Sequence, residues 1–183
     1  AQLVEQTMLG DQGSFDELVR RYTKQIYNFS FRLTGTIESA EDITQETFIK
    51  VWKNLKKYDS NQNFRPWIFT IARNTATDWL RKKKNISFSQ LSHDDMQFED
   101  SVSDTNADIE KDISQIENAD LAKKLLSELS PDYKSVLVLH YTESMTFDEI
   151  GTILNKPLNT VKSWHRRALL QLRKMALSKN PFN

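Results

Sequence analysis

The segment Thr146–Leu172, TFDEIGTILNKPLNTVKSWHRRALLQL, constrains the fold more than any other part of the chain. Thr146 and Glu149 have the spacing of a capping box, which predicts the start of a short helix. The turn NKPLN follows this helix, and a second stretch of helical periodicity begins directly after it. Two short helices joined by a tight turn form a helix-turn-helix, a unit that places its second helix in a DNA groove.

The second of these helices is predicted to have one apolar face and one cationic face. At 100° per residue, the packing face contains Val161, His165, Ala168 and Leu172, with Trp164 and Leu169 at its edges. The opposite face carries Lys162, Ser163, Arg166 and Arg167, and Thr160 is the expected N-cap. No acidic residue occurs between Lys156 and Asn183. Arginine can read guanine, and both arginine and lysine neutralise phosphates, so this face predicts DNA binding. The simpler alternative is a basic face that is only solvated.

Two residues of this helix depart from a simple amphipathic pattern. His165 occupies a packing position, where we expect a neutral, hydrogen-bonded histidine rather than a DNA contact. Trp164 lies at the edge of the packing face and is expected to pack rather than to stack on a base.

A second basic helix is predicted within RPWIFTIARNTATDWLRKKK, opening near Arg65 and running to about Lys84. One side carries Ile68, Ala72, Thr75 and Trp79. The other carries Asn74, Thr77, Asp78 and Arg81, with Arg73 beside them and Lys82, Lys83 and Lys84 at the cationic end. An amide and a carboxylate among cations fit the edges of an unpaired base, which Phe64 and Trp67 can support or stack. The alternative is that the tryptophans are core residues and that the lysines form a solvated helix end.

The helix before it is predicted to follow Ser39 and to have an acidic first half, with Glu38, Glu41, Asp42 and Glu46. Acids near a helix N-terminus are favourable, which explains some of this pattern. Crowded acids nevertheless repel one another, and an acidic face is not expected to face DNA. Such a face fits a basic protein partner.

Charge is distributed unevenly although the formal net charge is zero. Residues 85–118 contain nine acids and one base, so this segment carries −8 and the remainder carries +8.

The apolar periodicity is helical elsewhere: Ser14 and Glu17 predict a capping box for the first long helix, and Ser130-Pro131 predicts another helix start. The expected fold is all-α, with two small helical domains, 1–85 and 119–183, joined by a flexible acidic linker, 86–118.

Several classes of protein are excluded or disfavoured by composition. The chain has no cysteine, so it has no disulfide or thiolate metal site, which suits a cytoplasmic protein. Its three histidines lack metal-ligand spacing, and neither a metal nor another cofactor is expected. No window is apolar enough to cross a membrane, and the first residues do not have the order of a signal peptide.

At this point the chain resembles the bacterial RNA polymerase sigma factors of the extracytoplasmic-function type, over nearly its whole length. AEDITQETFIKVW resembles their region 2.2, and FRPWIFTIARNTATDWLRKKK resembles regions 2.3 and 2.4. The stretch from Leu129 to Lys174, which contains the helix-turn-helix, resembles region 4. One departure is Trp164, which stands where the family frequently has a cation.

The resemblance implies roles for individual positions. Asp42, Gln45 and Glu46 match the part of region 2.2 that docks on the β′ clamp of core polymerase, and the region 4-like domain is implied to contact the β subunit. Asn74 matches the contact to a base of the −10 element, with the Tyr58–Arg65 loop forming part of the pocket. The same element is implied to be bound by Phe64, Arg65, Trp67, Arg73, Asp78, Arg81, Lys82, Lys83 and Lys84. The −35 element is implied to be read by Thr160, Lys162, Ser163, Arg166 and Arg167.

The predicted function is therefore that of a promoter-specificity subunit without catalytic residues of its own. An anti-sigma factor is an implied partner, and the acidic linker matches the segment that threads toward the polymerase active-site channel. One rival hypothesis is a stand-alone helix-turn-helix regulator, which predicts tight duplex binding without polymerase. Another is an enzyme such as a nuclease, which requires a clustered metal site that this pattern of acids does not predict.

Overall fold

The computed structural model of the chain describes residues 2–84 and 124–178. Within these two ranges every regular element is helical, and the predicted all-α fold with two helical domains is confirmed. The predicted acidic linker, 86–118, lies outside the described residues.

The first domain contains four α-helices in the described range: α1 (Gln2–Met8), α2 (Gln12–Thr34), α3 (Ile37–Asn54) and α4 (Phe64–Lys84). A short 3-10 turn, Leu55–Lys57, follows α3. The second domain contains α5 (Pro131–Leu137), a π-helical turn (Val138–Thr142), α6 (Phe147–Leu154) and α7 (Leu158–Ser178). Residues 124–127 are also helical.

The start of α2 differs from the prediction. Asp11 is the N-cap, and its Oδ1 accepts a hydrogen bond from the Gly13 amide at 3.1 Å. Ser14 lies inside the first turn, where its hydroxyl donates to Gln6 Oε1 at 3.0 Å. The predicted Ser14–Glu17 capping box is therefore wrong, because an acidic residue upstream provides the acceptor for the first turn. Similarly, α3 begins before Ser39, whose amide donates to the N-cap Thr36 at 3.4 Å.

Two of the three helix starts predicted in the second domain are confirmed. Ser130 caps α5, with Pro131 at the first helical position, where its missing amide hydrogen costs nothing. Thr146 and Glu149 form a reciprocal capping box at the start of α6: the Thr146 amide donates to Glu149 Oε2 at 2.9 Å, and the Glu149 amide donates to Thr146 Oγ1 at 3.3 Å.

Among the residues that the structure describes, the larger of two buried apolar clusters runs through both domains. From the first domain it takes Ile26, Phe29, Ile43, Ile68, Phe69 and Ala72, and from the second Val136, Leu139, Met145, Ile150, Ile153 and Val161. The smaller cluster belongs to the second domain and contains Leu125, Leu129, Tyr133, Leu137, Ala168, Leu169 and Leu172. Packing of α6 against α4, and of α5 and the π-helical turn against α2, brings the two domains together.

Candidate nucleic-acid interface

The turn between α6 and α7 is fixed by its backbone. Asn155 adopts the left-handed conformation, with φ of 51°, and the Lys156 amide donates to the Gly151 carbonyl at 2.9 Å. A Cβ at Gly151 would lie 2.9 Å from the Lys156 carbonyl oxygen, so this position has no room for a side chain. The close approach of the turn to α6 sets the direction in which α7 leaves, as in a helix-turn-helix.

The predicted faces of α7 are confirmed. Its buried residues are Val161, His165, Ala168, Leu169 and Leu172. Lys162 is exposed, and Ser163, Arg166 and Arg167 are half-buried on the other side. The helix begins at Leu158, and the Val161 amide donates to the Pro157 carbonyl at 3.1 Å. Thr160 is therefore in the first turn and is not the N-cap that the sequence predicted.

Two side chains of α7 make the packing contacts that were predicted for them. His165 is only 3% exposed, and its Nε2 lies 3.0 Å from the Tyr141 hydroxyl. Trp164 packs near Tyr133, with 6.3 Å between ring centroids. The exposed Lys156 places its ammonium nitrogen 5.5 Å from the centroid of the Trp164 ring, which brings a cation from the turn to the edge of α7.

An aromatic cluster beneath α7 was not predicted. His140 stacks on Phe147 with 4.6 Å between ring centroids, and its edge meets His165 at 5.2 Å. The Nδ1 of His140 lies 3.0 Å from the Met145 carbonyl oxygen. This cluster connects the π-helical turn, α6 and α7, and it holds α7 against its neighbours. The sequence offers little signal for it, because the π-helical turn changes which side chains share a face.

In α4 the predicted −10-binding residues differ in exposure: Phe64 is buried, and the half-buried ones are Arg65, Trp67, Arg73, Asp78 and Arg81. Asn74, Lys82 and Lys83 are exposed, and the side chain of Lys84 is outside the described part. Asp78 pairs with Arg81 at 2.8 Å, and Lys83 lies 4.6 Å from the Trp79 ring centroid. At 100° per residue, Asn74, Asp78, Arg81 and Lys82 share one side of the helix, whereas Lys83 lies on the side of Trp79.

The aromatic residues at the start of α4 form a packed group. Phe64 is 7% exposed, with its ring centroid 5.6 Å from that of Tyr58 and 5.5 Å from that of Trp67. Trp67 is half-buried and its ring centroid is 4.9 Å from that of Tyr58. In this arrangement Phe64 supports the Tyr58–Arg65 loop from within, and Trp67 is the ring that remains partly open to solvent.

Two arginines of the predicted DNA-binding set contact the second domain. Arg73 forms an ion pair with Asp132 and also donates to Asn74 Oδ1 at 3.3 Å. Arg65 donates to the Glu143 carbonyl oxygen at 2.6 Å and to its carboxylate at 3.3 Å. Burial raises the pKa of Glu143 above its ordinary value, although the Arg65 and Arg32 charges act in the opposite direction. Sequence reasoning did not bring these pairs together, because 59 and 78 residues separate their members.

The acidic surface of α3 is exposed as predicted at Asp42, Gln45 and Glu46. Ile49 and Trp52 continue along this side and are 40% and 51% exposed, and neither was predicted to contribute. The Trp52 ring centroid lies 4.7 Å from that of Phe15. Ile49 follows Glu46 by three residues and Gln45 by four, and Trp52 follows Gln45 by seven. Residues at these spacings share a helix face, so the sequence contained a signal for both.

The surfaces of α3 and α4 adjoin each other. An open groove of about 480 Å³ lies between Gln45 and Glu46 on α3 and Asp78 and Arg81 on α4. Lys50 connects the two helices, with its ammonium nitrogen 3.2 Å from Thr75 Oγ1 and 3.6 Å from the Glu46 carboxylate.

Residues 2–84 and 124–178 contain no group of three or more His, Cys, Asp or Glu side chains that could hold a metal ion. No helix in the same ranges is long and apolar enough to span a membrane.

Comparisons with known proteins identify both domains. The model of Sigma-70 region 2 matches residues 18–86, and that of Sigma-70, region 4 matches residues 119–172. The ECF RNA polymerase sigma factor SigW of Bacillus subtilis (strain 168) is 33% identical over 185 residues, which cover 93% of each chain.

Solved structures share the arrangement of helices. CnrH, in its complex with the cytosolic domain of CnrY, has a TM-score of 0.70 and 21% identity and covers 97% of both chains. The sigma factor RpoE, in complex with the anti-sigma factor NepR from Bartonella quintana, has a TM-score of 0.65 and 24% identity, covering 91% of this chain and 98% of its own.

Proposed function

Because the chain belongs to the extracytoplasmic-function family of RNA polymerase sigma factors and recognises promoters, we propose that α7, α4 and α3 divide this work. In this proposal α7 reads the −35 duplex, α4 binds the melted −10 strand and α3 docks on core RNA polymerase. The observation that carries the proposal is that α7 and α4 present cationic side chains, whereas the surface of α3 that adjoins α4 is acidic and apolar.

The −35 role of α7 is supported by its packing. Five buried residues fix one side, so Lys162, Ser163, Arg166 and Arg167 lie on the side that is available to a groove. A bidentate arginine–guanine contact is worth about 1–3 kcal/mol of discrimination against another base. Arg166 and Arg167 are the residues that we assign to base reading. We assign phosphate contacts to Lys162, and Thr160 and Ser163 supply hydroxyls.

The −10 role of α4 is supported by the exposed amide of Asn74, which accepts from Arg73, on a helix that ends in a run of cations. A melted strand exposes base edges to such an amide and presents phosphates to cations. We assign the base contact to Asn74 with Asp78 beside it, and phosphate contacts to Arg65, Arg73, Arg81, Lys82, Lys83 and Lys84. The half-buried Trp67 offers a ring to an unstacked base, and Phe64 supports the loop from its interior.

The docking role of α3 is supported by a surface that combines charge and exposed apolar area. The polar part consists of Asp42, Gln45 and Glu46. Ile49 and Trp52 extend this surface with large exposed apolar side chains, and tryptophan is enriched among the residues that contribute most to the free energy of binding. The proposed partner surface is the basic β′ clamp of core polymerase, and the second domain is proposed to contact the β subunit.

The wider organisation follows from the same proposal. Residues 1–85 form the domain that binds polymerase and the −10 element, residues 86–118 are an acidic linker, and residues 119–183 form the −35-binding domain. The protein works in the cytoplasm with the polymerase and has no catalytic residues of its own. An anti-sigma factor is a further partner, a proposal that is supported by the complex of the similar RpoE with NepR.

The first experiment assembles the protein with core RNA polymerase and transcribes a promoter library. Selective initiation from sites with common −35 and −10 sequences is expected only when both components are present. Tight, specific binding to duplex DNA without polymerase, combined with no binding to core, would favour the stand-alone regulator instead.

Single-residue variants then assign the surfaces within the holoenzyme. Arg166→Ala is expected to relax the preference at one −35 base, whereas Lys174→Ala, which removes an exposed cation from the same helix, keeps it.

Asn74→Ala is expected to impair strand opening with less effect on −35 binding; equal loss of both would contradict its assignment. Glu46→Gln is expected to weaken binding to core polymerase more than Glu38→Gln, which neutralises an exposed acid on the same helix.

A further inference from the structure

Asn159 lies at the N-terminal end of the exposed side of α7, and its side chain is exposed. Lys162, Ser163 and Arg166 follow it by three, four and seven residues, which are the spacings of one helix face. At 100° per residue, Asn159 is about 160° from the buried Val161 and only about 20° from Arg166. Its side chain therefore belongs to the centre of the surface that is proposed to face the DNA groove.

The first turn of α7 holds Asn159 in a defined position. The Val161 amide donates to the Pro157 carbonyl at 3.1 Å, so Asn159 lies within the first hydrogen-bonded turn. Val161 is fully buried, and in the preceding turn the Lys156 amide donates to the Gly151 carbonyl at 2.9 Å. A side chain on a helix that is fixed in this way is placed more precisely than a side chain on a loop.

The local structure does not use the amide of Asn159. Asparagine is favoured as an N-cap, but the residue that precedes α7 is Pro157, and Asn159 lies inside the helix, where the propensity of asparagine is poor. Within residues 2–84 and 124–178 its side chain makes no hydrogen bond. The amide therefore keeps both a donor and an acceptor for a ligand.

We propose that Asn159 reads an adenine of the −35 element, an inference that rests on the proposed −35 role of α7. In the major groove the amide nitrogen of asparagine donates to adenine N7, and its oxygen accepts from the N6 amino group. Guanine presents two acceptors at this edge, cytosine an amino donor, and thymine an acceptor and a methyl group. Adenine is therefore the base that satisfies both amide atoms.

The other side chains of this surface do not supply the same chemistry. Lys162, Arg166 and Arg167 have donors and no acceptor, so they favour bases with acceptors, such as guanine. The Ser163 hydroxyl pairs with several bases. Asn159 thus adds a preference for adenine to a surface that otherwise favours guanine.

Helix geometry also predicts where this adenine lies. Seven residues of α-helix separate Asn159 from Arg166, which is about 10 Å along the axis. At 3.4 Å per base pair, the adenine is expected within about three base pairs of the base that Arg166 reads.

The test measures binding of holoenzymes to a library of promoters that vary in the −35 element. The variants are Asn159→Ala and Asn159→Asp, in which an acceptor oxygen replaces the donor nitrogen. A negative charge in the first turn of a helix is favourable, so Asn159→Asp provides the measurement if Asn159→Ala fails to fold. Asn54→Ala is a matched control, because it removes an exposed asparagine amide from α3.

The parent and Asn54→Ala are expected to prefer adenine about tenfold at one −35 position. Both Asn159 variants should lose this preference and keep the preference that depends on Arg166. The salt dependence of binding should be the same for Asn159→Ala and the parent, because an amide neutralises no phosphate.

A change in the DNA then identifies the contact. Replacing the preferred adenine with 7-deazaadenine removes N7 and leaves pairing with thymine intact. Binding by the parent holoenzyme should weaken about fivefold. Binding by Asn159→Ala should not change, because the amide that donates to N7 is already absent.

Three results would overturn the proposal. Unchanged −35 preferences in both Asn159 variants would show that the amide reads no base, and an equal loss of binding to every sequence would indicate a backbone contact. An equal effect of 7-deazaadenine on the parent and Asn159→Ala would assign the contact to another residue. Failure of the proposed −35 role has a different signature: Arg166→Ala and Arg167→Ala would also keep every −35 preference of the parent.

Discussion

The ammonium nitrogen of Lys156 lies 5.5 Å from the centroid of the Trp164 ring, so a residue of the turn and a residue of the recognition helix act as a pair. Trp164 stands where the resemblance to sigma factors implies a frequent cation. The cation–π contact brings a positive charge back to that edge of α7 from outside the helix. In the proposed −35 role of α7, the pair substitutes for a single basic residue.

This substitution predicts the effect of removing the lysine. Lys156→Ala is expected to weaken binding of the −35 duplex by holoenzyme about threefold and to reduce the salt dependence of binding by about one counterion. Binding is measured over a series of salt concentrations. The double variant Lys156→Ala/Trp164→Arg should recover both values, because it moves the charge onto α7. An unchanged salt slope in Lys156→Ala would remove this residue from the interface.

The buried His165 predicts a stability effect at the recognition helix. Tyr141→Phe removes the hydroxyl that lies 3.0 Å from His165 Nε2 and should lower the free energy of unfolding by about 1 kcal/mol. Urea unfolding provides the measurement. Tyr27→Phe is the control: it loses the same group from a half-buried ring and retains its stacking on Phe31. Equal losses in the two variants would indicate that the hydroxyl at Tyr141 has no special role.

Gly151 predicts a steric effect that can be compared within the same chain. Gly151→Ala places a Cβ 2.9 Å from the Lys156 carbonyl oxygen and should lower the free energy of unfolding by about 1–3 kcal/mol. At Gly13 the added Cβ would make only an ordinary contact, at 3.5 Å from Asp11 Oδ1. Gly13→Ala should therefore stabilise the protein by about 0.4–1 kcal/mol, because it restricts the unfolded chain. Thermal unfolding of both variants checks the opposite signs.

The raised pKa of Glu143 predicts a pH dependence with a definite sign. In the folded protein burial favours the protonated carboxyl, so the folded state binds more protons than the unfolded state between pH 4.5 and the raised pKa. The contribution of this group to the free energy of unfolding is present below pH 4.5 and is lost as the pH rises through that window. In Glu143→Gln the side chain at this position does not titrate.

The difference between Glu143→Gln and the parent measures this contribution, because the other groups titrate in both. The stability of Glu143→Gln relative to the parent should increase from about pH 4 to about pH 7, as determined by urea unfolding at several pH values. The substitution keeps the backbone carbonyl that accepts from Arg65, so the domain contact itself should persist. A relative stability that decreases with pH would mean that the attraction of Arg65 exceeds the effect of burial.

Local and periodic features were predictable from the sequence. The faces of α7 follow from the 3.6-residue period, and the helix starts at Pro131 and Phe147 follow from capping chemistry that acts within four residues. The starts of α2 and α7 were predicted two residues or more too late. In each case a residue further upstream, Asp11 or Pro157, supplies the first acceptor.

Features that depend on distant residues were not predictable in this way. The Arg73–Asp132 contact joins residues that are 59 positions apart, and no period or cap relates them. The same is true of the apolar cluster shared by both domains, since α4 has an amphipathic pattern whether or not a second domain covers it. The π-helical turn also shifts the angular positions of the side chains within it. His140 and Tyr141 therefore contact His165, although a regular helical wheel does not place them on a shared face.

Asp132 and Arg73 are parts of one covalent chain, and this determines how their contact responds to abundance. Tethered groups meet at an effective concentration that the connection between them sets, commonly in the millimolar range. This value is the same whether a cell holds few copies of the protein or many. The strength of the Arg73–Asp132 contact is therefore a fixed property of each molecule, whereas a contact between separate proteins varies with their supply.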